Sequence, residues 1–111
     1  MIEIIRGDTV TFNCDISQNI QNWKIRAEFF SNDKTIELKK ASANTGGSAA
    51  QIEIVDDVTG LFNVIISAGE SENWESTMNF EIEVETPAGD IYTVLQETLK
   101  IKEQQIKWET P

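Results

Sequence analysis

The sequence contains no histidine, one cysteine, two prolines and no long hydrophobic run. Without histidine, the chain lacks the most common general base and the most common transition-metal ligand, and a Ser-His-Asp triad is excluded. A single cysteine, Cys14, has no partner for a disulfide within the chain. No apolar stretch approaches the roughly 20 residues of a membrane helix. The first residues lack a basic segment followed by a long apolar one, so we expect no signal peptide and no membrane partner.

Basic residues are also scarce. Nine Lys and Arg stand against 19 Asp and Glu, which gives a formal net charge of −10. Such a surface repels the phosphates of nucleic acids and of anionic membranes, so we expect neither as a partner. We interpret the charge as a source of solubility. With 111 residues, 40% of them hydrophobic, the chain is long enough for one folded domain, predicted over 1–102, and a C-terminal tail, 103–111.

The clearest pattern in the sequence is an unbroken alternation of apolar and polar residues over 78–85. Because successive side chains of a strand point to opposite faces, this pattern predicts a strand with one buried and one anionic, exposed face. The expected buried side chains are Met78, Phe80, Ile82 and Val84, and the expected exposed ones are Asn79, Glu81, Glu83 and Glu85.

Shorter alternating segments recur along the chain, separated by turn-forming residues. They predict eight strands, at 3–5, 9–16, 23–30, 35–38, 50–55, 61–67, 78–85 and 91–102. Strands at such short intervals are typical of an all-β sandwich. We therefore predict an all-β fold, an immunoglobulin-like antiparallel β-sandwich of seven or eight strands, with one short helical turn near 69–74.

Side-chain phase within these strands makes further predictions. Cys14 is in phase with Val10, Phe12 and Ile16 and is expected to be a buried, inert thiol. In the fifth predicted strand, Ile52 and Ile54 are expected to point inward. In the last strand, Tyr92 and Val94 have the opposite parity to Leu99 and Ile101, which predicts a β-bulge or bend between Leu95 and Thr98.

Several acidic residues are candidates for catalytic or metal-binding roles. Glu81, Glu83 and Glu85 have the spacing of a glycosidase carboxylate pair, but on an open sheet face they are expected to stay ionised and solvated. The acids near turns, Asp56, Asp57, Glu70 and Asp90, suit local capping better than a calcium site. We therefore predict no catalytic, cofactor-binding or metal-binding residues.

Two tryptophans lie near the ends of elements. Trp74 is expected to fill one end of the sandwich, with sugar binding or a partner contact as alternatives. Trp108 lies in the tail with Ile106 and little core to join, so it is expected to meet another chain. The candidate partner interface is therefore Ile106, Trp108 and Trp74.

Four segments together are similar to a known group of proteins. They are 6–12 (RGDTVTF), 20–27 (IQNWKIRA), 60–68 (GLFNVIISA) with Asn73-Trp74, and 89–95 (GDIYTVL) followed by 99–101 (LKI). The series resembles small β-sandwich proteins of tailed bacteriophages and prophages, including the N-terminal immunoglobulin-like domain of lactococcal phage baseplate upper proteins. Arg6-Gly7-Asp8 also spells an adhesion tripeptide, but we interpret it as a turn.

The resemblance implies a non-enzymatic structural or assembly protein of the virion, in the tail, baseplate, neck or head. It implies other virion proteins as partners, a possible homo-oligomer, and a location in the virion after synthesis in the bacterial cytoplasm. It carries no active-site residues. A host-surface or carbohydrate-binding module is the alternative function, and a small hydrolase or metal-dependent enzyme is a third.

Overall fold

The computed structural model describes residues 2–42 and 52–103, which form eight β-strands and, within these ranges, no helix. All eight predicted strands are present, with small differences at their ends. The strands are β1 (Ile2–Ile5), β2 (Val10–Asp15), β3 (Lys24–Phe30), β4 (Glu37–Ala41), β5 (Ile52–Asp56), β6 (Leu61–Ile66), β7 (Thr77–Glu85) and β8 (Ile91–Lys102).

The strands form two sheets that pack face to face. The larger sheet has the order β1-β8-β7-β3-β4, and the smaller has the order β2-β6-β5. Neighbouring strands are antiparallel except β1, which runs parallel to β8. The predicted all-β sandwich is therefore confirmed, with five strands in one layer and three in the other.

The core lies between the sheets and is centred on β7, as the alternation predicted. The four apolar side chains of β7 are each at most 1% exposed. Phe80 stacks on Phe29 of β3 with ring centroids 4.4 Å apart, and Phe12 of β2 reaches both rings from the other sheet. Aromatic pairs at such distances add to the stabilisation from burial.

The predicted bulge in β8 exists, but its predicted position is wrong. Ile82 pairs with Leu95 and Glu83 pairs with Thr93, so Val94 is the extra residue. Pairing then continues without a break from Leu95 to Lys100. The change of phase therefore comes just before the predicted interval, and Leu95 points inward with Leu99 and Ile101.

Ile54 is on the inward face as predicted, since it pairs with buried Phe62, but its side chain is 40% exposed. Ile52 is buried as expected. β5 is an edge strand, and its register against β6 shifts between Ile54 and Asp56, with Val55 as the extra residue. This irregularity and the edge position leave the second half of β5 outside the core.

The predicted helical turn near 69–74 is replaced by a series of separate turns. Amide groups of Glu70, Glu72 and Trp74 each donate to the carbonyl three residues earlier. The donors are every second residue, so the consecutive bonds that a helix needs are missing. Gly69, with φ of +87°, lies in the left-handed region within this segment and interrupts helical geometry.

Candidate functional site

The most distinctive surface of the molecule is a groove along one side of the sandwich, between β8 and β2. A cavity of about 570 Å³ opens where β8 begins, and an adjoining cavity of about 300 Å³ continues between the two sheets. Both share Asp15, Ile16 and Val94. The wider part is further lined by Gln18, Trp23, Val84, Thr86 and Tyr92. We call this surface the lateral groove.

An open strand edge borders the lateral groove. β1 pairs only with Leu99–Lys102, the last four residues of β8. Among the described residues, no strand lies beside the outer edge of β8 from Ile91 to Gln96. Backbone N–H and C=O groups on such an edge can pair with an added strand. We call this stretch the open edge of β8.

The open edge of β8 is apolar and uncharged. Its six residues read Ile-Tyr-Thr-Val-Leu-Gln, in a chain of net charge −10. Ile91 is 55% exposed, Tyr92 54% and Val94 39%. A short window with high β-propensity, no charge and no proline is well suited to pairing with another strand.

The edge strands β4 and β5 carry charges that oppose such pairing. β4 includes Glu37, Lys39 and Lys40, and β5 includes Glu53 and Asp56. Charged side chains on an edge discourage the addition of further strands. The open edge of β8 differs from β4 and β5 in having no charged side chain.

β2 forms the opposite wall of the lateral groove. Its inward side chains, including Phe12 and Cys14, are only partly buried and pack against the margin of the core. Partial burial raises the pKa of the Cys14 thiol, and its Sγ donates a weak hydrogen bond to the Phe12 carbonyl at 3.7 Å. The prediction of a buried thiol is only partly met, since Cys14 is half-buried, while its raised pKa leaves less of the reactive thiolate.

Trp74 is not part of any exposed interface in this structure. It is 3% exposed and stacks on Phe29 with ring centroids 5.2 Å apart. It is buried in the core, and its place in the candidate partner interface is corrected, because a buried indole offers no surface to another chain. Ile106 and Trp108, the other two residues of that interface, lie outside the described residues.

The Arg6-Gly7-Asp8 turn has a structural use. Arg6 donates to the carbonyls of Trp74 and Glu72 and to the Glu103 carboxylate, at 2.8 Å for the last. The Gly7 amide donates to the Ser71 hydroxyl at 2.7 Å. The arginine is thus engaged within the protein, in agreement with the interpretation of this tripeptide as a turn.

An ion pair missed by the sequence analysis closes the side of the sandwich at β4. Lys40 points inward with a side chain only 1% exposed, and its Nζ lies 2.7 and 2.8 Å from the two carboxylate oxygens of Glu70. Glu70 also accepts a hydrogen bond from the Ser67 amide at 2.6 Å. Burial of Glu70 opposes its ionisation, but these bonds and the charge of Lys40 outweigh burial and lower its pKa.

The acidic residues that are candidates for catalytic or metal-binding roles form local hydrogen bonds and ion pairs. Glu81 accepts a hydrogen bond from Gln96 at 3.0 Å, and Glu85 lies within 4.0 Å of both Lys24 and Arg26. Asp56 accepts from the amides of the turn that follows it. No group of three or more potential metal ligands occurs in the ranges that the structure covers.

The lateral groove could have been suspected from two signals in the sequence. The change of phase in the last strand indicated an irregular edge, and the run 91–96 combines aliphatic and aromatic strand formers with no charge. The pairing of β1 with only the end of β8 had no such signal, because strand order is set by contacts distant in sequence.

Comparisons with known proteins add no assignment. No protein-family model matches this chain, and no curated protein shows significant similarity to it. Within the described ranges there is no helix of the length and apolarity that crossing a membrane requires.

Proposed function

We propose that this protein is a non-enzymatic structural or assembly component of a tailed bacteriophage or prophage virion, and that it binds its partners by strand addition. One observation carries the binding mode. The open edge of β8 is uncharged, exposed and bordered by an apolar groove, while β4 and β5 are protected by charges. An added strand gains main-chain hydrogen bonds from the edge and specificity from side-chain contacts in the groove.

The strand order supports the immunoglobulin-like part of the proposal. In an immunoglobulin sandwich, strands B, E and D form part of one sheet, and strands C, F and G form the other. Here β2, β6 and β5 correspond in order to B, E and D, while β3, β7 and β8 correspond to C, F and G. This agreement supports the resemblance to phage proteins at the level of fold.

The virion assignment rests on the four sequence segments that resemble phage β-sandwich proteins. The proposed partners are other virion proteins or further copies of this chain, and the proposed location is the virion, after synthesis in the host cytoplasm. The absence of histidine and the local hydrogen-bonding roles of the acids support a role without catalysis.

A matched pair of substitutions tests the binding mode. Val94 and Val55 are both exposed, and each is the extra residue where the register of its strand shifts. We expect Val94→Lys to abolish binding to purified virion partners or to further copies of the chain, and Val55→Lys to leave binding unchanged. Equal binding by wild type and both variants would reject strand addition at β8.

The virion assignment is tested separately. Quantitative mass spectrometry of purified particles from the strain that encodes this chain should find it at a fixed ratio to other structural proteins. Its absence from both mature particles and assembly intermediates would reject a virion role, whatever the result at β8.

Carbohydrate binding is the alternative function, and the aromatic lining of the lateral groove favours it. Trp23 and Tyr92 offer apolar ring faces, and Asp15 and Gln18 offer hydrogen-bonding groups beside them. Titration with host-wall oligosaccharides, followed by NMR at these four residues, distinguishes the two functions. Saturable shifts there would favour a glycan, whereas protection of amides 91–96 by a protein partner favours strand addition.

A further inference from the structure

We propose that the occupant of the lateral groove is the C-terminal segment 104–111 of a second copy of this chain. The segment adds as a strand along the open edge of β8, with Ile106 and Trp108 entering the groove. This inference rests on the proposed strand addition and deepens it by naming the partner.

The sequence of the segment matches what the lateral groove requires. A strand added here has one face toward the apolar groove and the other toward solvent, so it needs apolar side chains two positions apart. Ile106 and Trp108 have this spacing, and Gln105, Lys107 and Glu109 occupy the alternate positions. A large aromatic side chain beside an aliphatic one suits a groove lined by Ile16, Val84 and Val94.

Charge also favours this segment. The groove has Asp15 in its wall, and the outer face of neighbouring β7 carries Glu81, Glu83 and Glu85. Segment 104–111 contains one lysine and one glutamate, so its side chains add no net negative charge in a chain of −10. With Ile106 and Trp108 inward, Lys107 is on the outer side, the same side as the acids of β7.

Distance requires the segment to come from another copy. β8 continues past the open edge, and its last residue, Lys102, is six residues beyond Gln96, about 20 Å along the strand. Ile106 is four residues after Lys102 and can lie at most about 14 Å from it, even in a fully extended chain. The path back along the edge is also occupied by β1 beside Leu99–Lys102. The tail of the same copy therefore cannot place Ile106 along its own open edge from Ile91 to Gln96.

Complementary variants test this inference in the full chain. A tail variant carries Ile106→Ser and Trp108→Ser and keeps its groove. A groove variant carries Val94→Lys and keeps its tail, and Tyr92→Asp serves as a second groove variant should the first fold poorly. Val55→Lys is the control, and circular dichroism establishes folding in each case.

Sedimentation velocity then measures self-association of each variant and of their mixtures. We expect the wild type and Val55→Lys to associate, and the tail and groove variants to associate at least about tenfold more weakly when each is alone. An equal mixture of tail and groove variants is expected to form complexes of one chain of each, because one supplies the groove and the other the tail. Hydrogen exchange should show amides 91–96 of the tail variant protected only in the mixture.

Four results would overturn the inference, and they distinguish its failure from failure of the proposed function. A wild type that stays monomeric, or a tail variant that associates like wild type while Val94→Lys does not, rejects the tail as occupant but keeps strand addition at β8 by another partner or by β8 itself. Variants that remain apart when mixed reject a tail-in-groove contact. Association unaffected by both groove variants rejects strand addition at β8 altogether.

Discussion

The two lateral sides of this sandwich differ in how well their inward-facing side chains are covered. At β4, the side is closed: Lys40 is buried against Glu70, and Trp74 stacks on Phe29 with 3% of its surface exposed. At β8, the side is open, and Tyr92, an aromatic residue on the inward face, is 54% exposed. Within the described residues, the side at β4 is covered, and the side at β8 exposes an aromatic residue of the inward face.

The contrast continues within the smaller sheet. Phe62, Val64 and Ile66 of β6 are buried, while the residues paired with them in β2 are only partly buried. Both strands contribute apolar side chains to the same face, so the difference follows from position and not from composition, because β2 is an edge strand and β6 is the central strand of its sheet. An apolar surface left uncovered in this way is typical of a site that another chain covers.

The largest expected effect is on the free energy of unfolding, and it tests whether the two sides differ. Trp74→Ala should lower the free energy of unfolding by about 3–5 kcal/mol, because it leaves a large cavity in the core. Tyr92→Ala on the open side should change it by about 0.5 kcal/mol or less, as for most exposed positions. Urea unfolding measures both, and similar losses for the two aromatic residues would mean that the two sides are equally closed.

The next effect concerns the ion pair on the closed side. Glu70→Gln leaves the Lys40 ammonium buried without its counter-charge and should cost about 3 kcal/mol of unfolding free energy. The double variant Lys40→Met, Glu70→Gln should recover much of this loss, because no charge is then buried alone. If Glu70→Gln unfolds at the same urea concentration as wild type, the pair has no part in closing this side.

A smaller effect follows from pH. Despite the opposing effect of burial, Lys40 and the Ser67 amide lower the pKa of folded Glu70 below its ordinary value of 4.5. The stabilisation from this ionisation is therefore complete above pH 4.5 and is lost as pH falls through the folded pKa. The difference in unfolding free energy between wild type and Glu70→Gln should shrink over this acid range, and a constant difference would contradict the assignment.

The smallest expected effect on stability comes from substitutions at exposed valines, one of them on the open side. Val94→Lys and Val55→Lys should each change the free energy of unfolding by about 0.5 kcal/mol or less, because both side chains are exposed. Only Val94→Lys should alter binding. A large loss of stability for Val94→Lys alone, measured by urea unfolding, would mean that the edge of β8 serves folding and not association.

The sequence predicted local features of this fold well and distant contacts poorly. Residues 78–85 were assigned correctly because a period of two is a direct consequence of strand geometry. The bulge was misplaced because the change of phase shows only that an extra residue lies somewhere between Tyr92 and Leu99. The sequence alone does not show whether Leu95 faces inward, with the bulge before it, or outward, with the bulge after it. Ile54 was correctly assigned to the inward face, but its 40% exposure was not predicted, because the sequence does not reveal that β5 is an edge.

The candidate site was harder to predict for the same reason. The pairing of Lys40 with Glu70 joins residues 30 positions apart, and the lateral groove depends on where β1 stops along β8. Such contacts are determined by the assembled sheets. The uncharged run 91–96 was visible in the sequence, but its position beside an apolar groove was not.

The parallel alignment of β1 with the end of β8 has a mechanical consequence. The start of β1 and the end of β8 lie at opposite ends of the same short ladder, in which Ile2 pairs with Leu99 and Ile5 with Lys102. A force that pulls these two ends apart acts along the strands and strains all bonds of the ladder together, including the bond from the Arg6 amide to the Lys102 carbonyl. Tension applied between these two ends is thus resisted in shear and does not open the sheet one bond at a time.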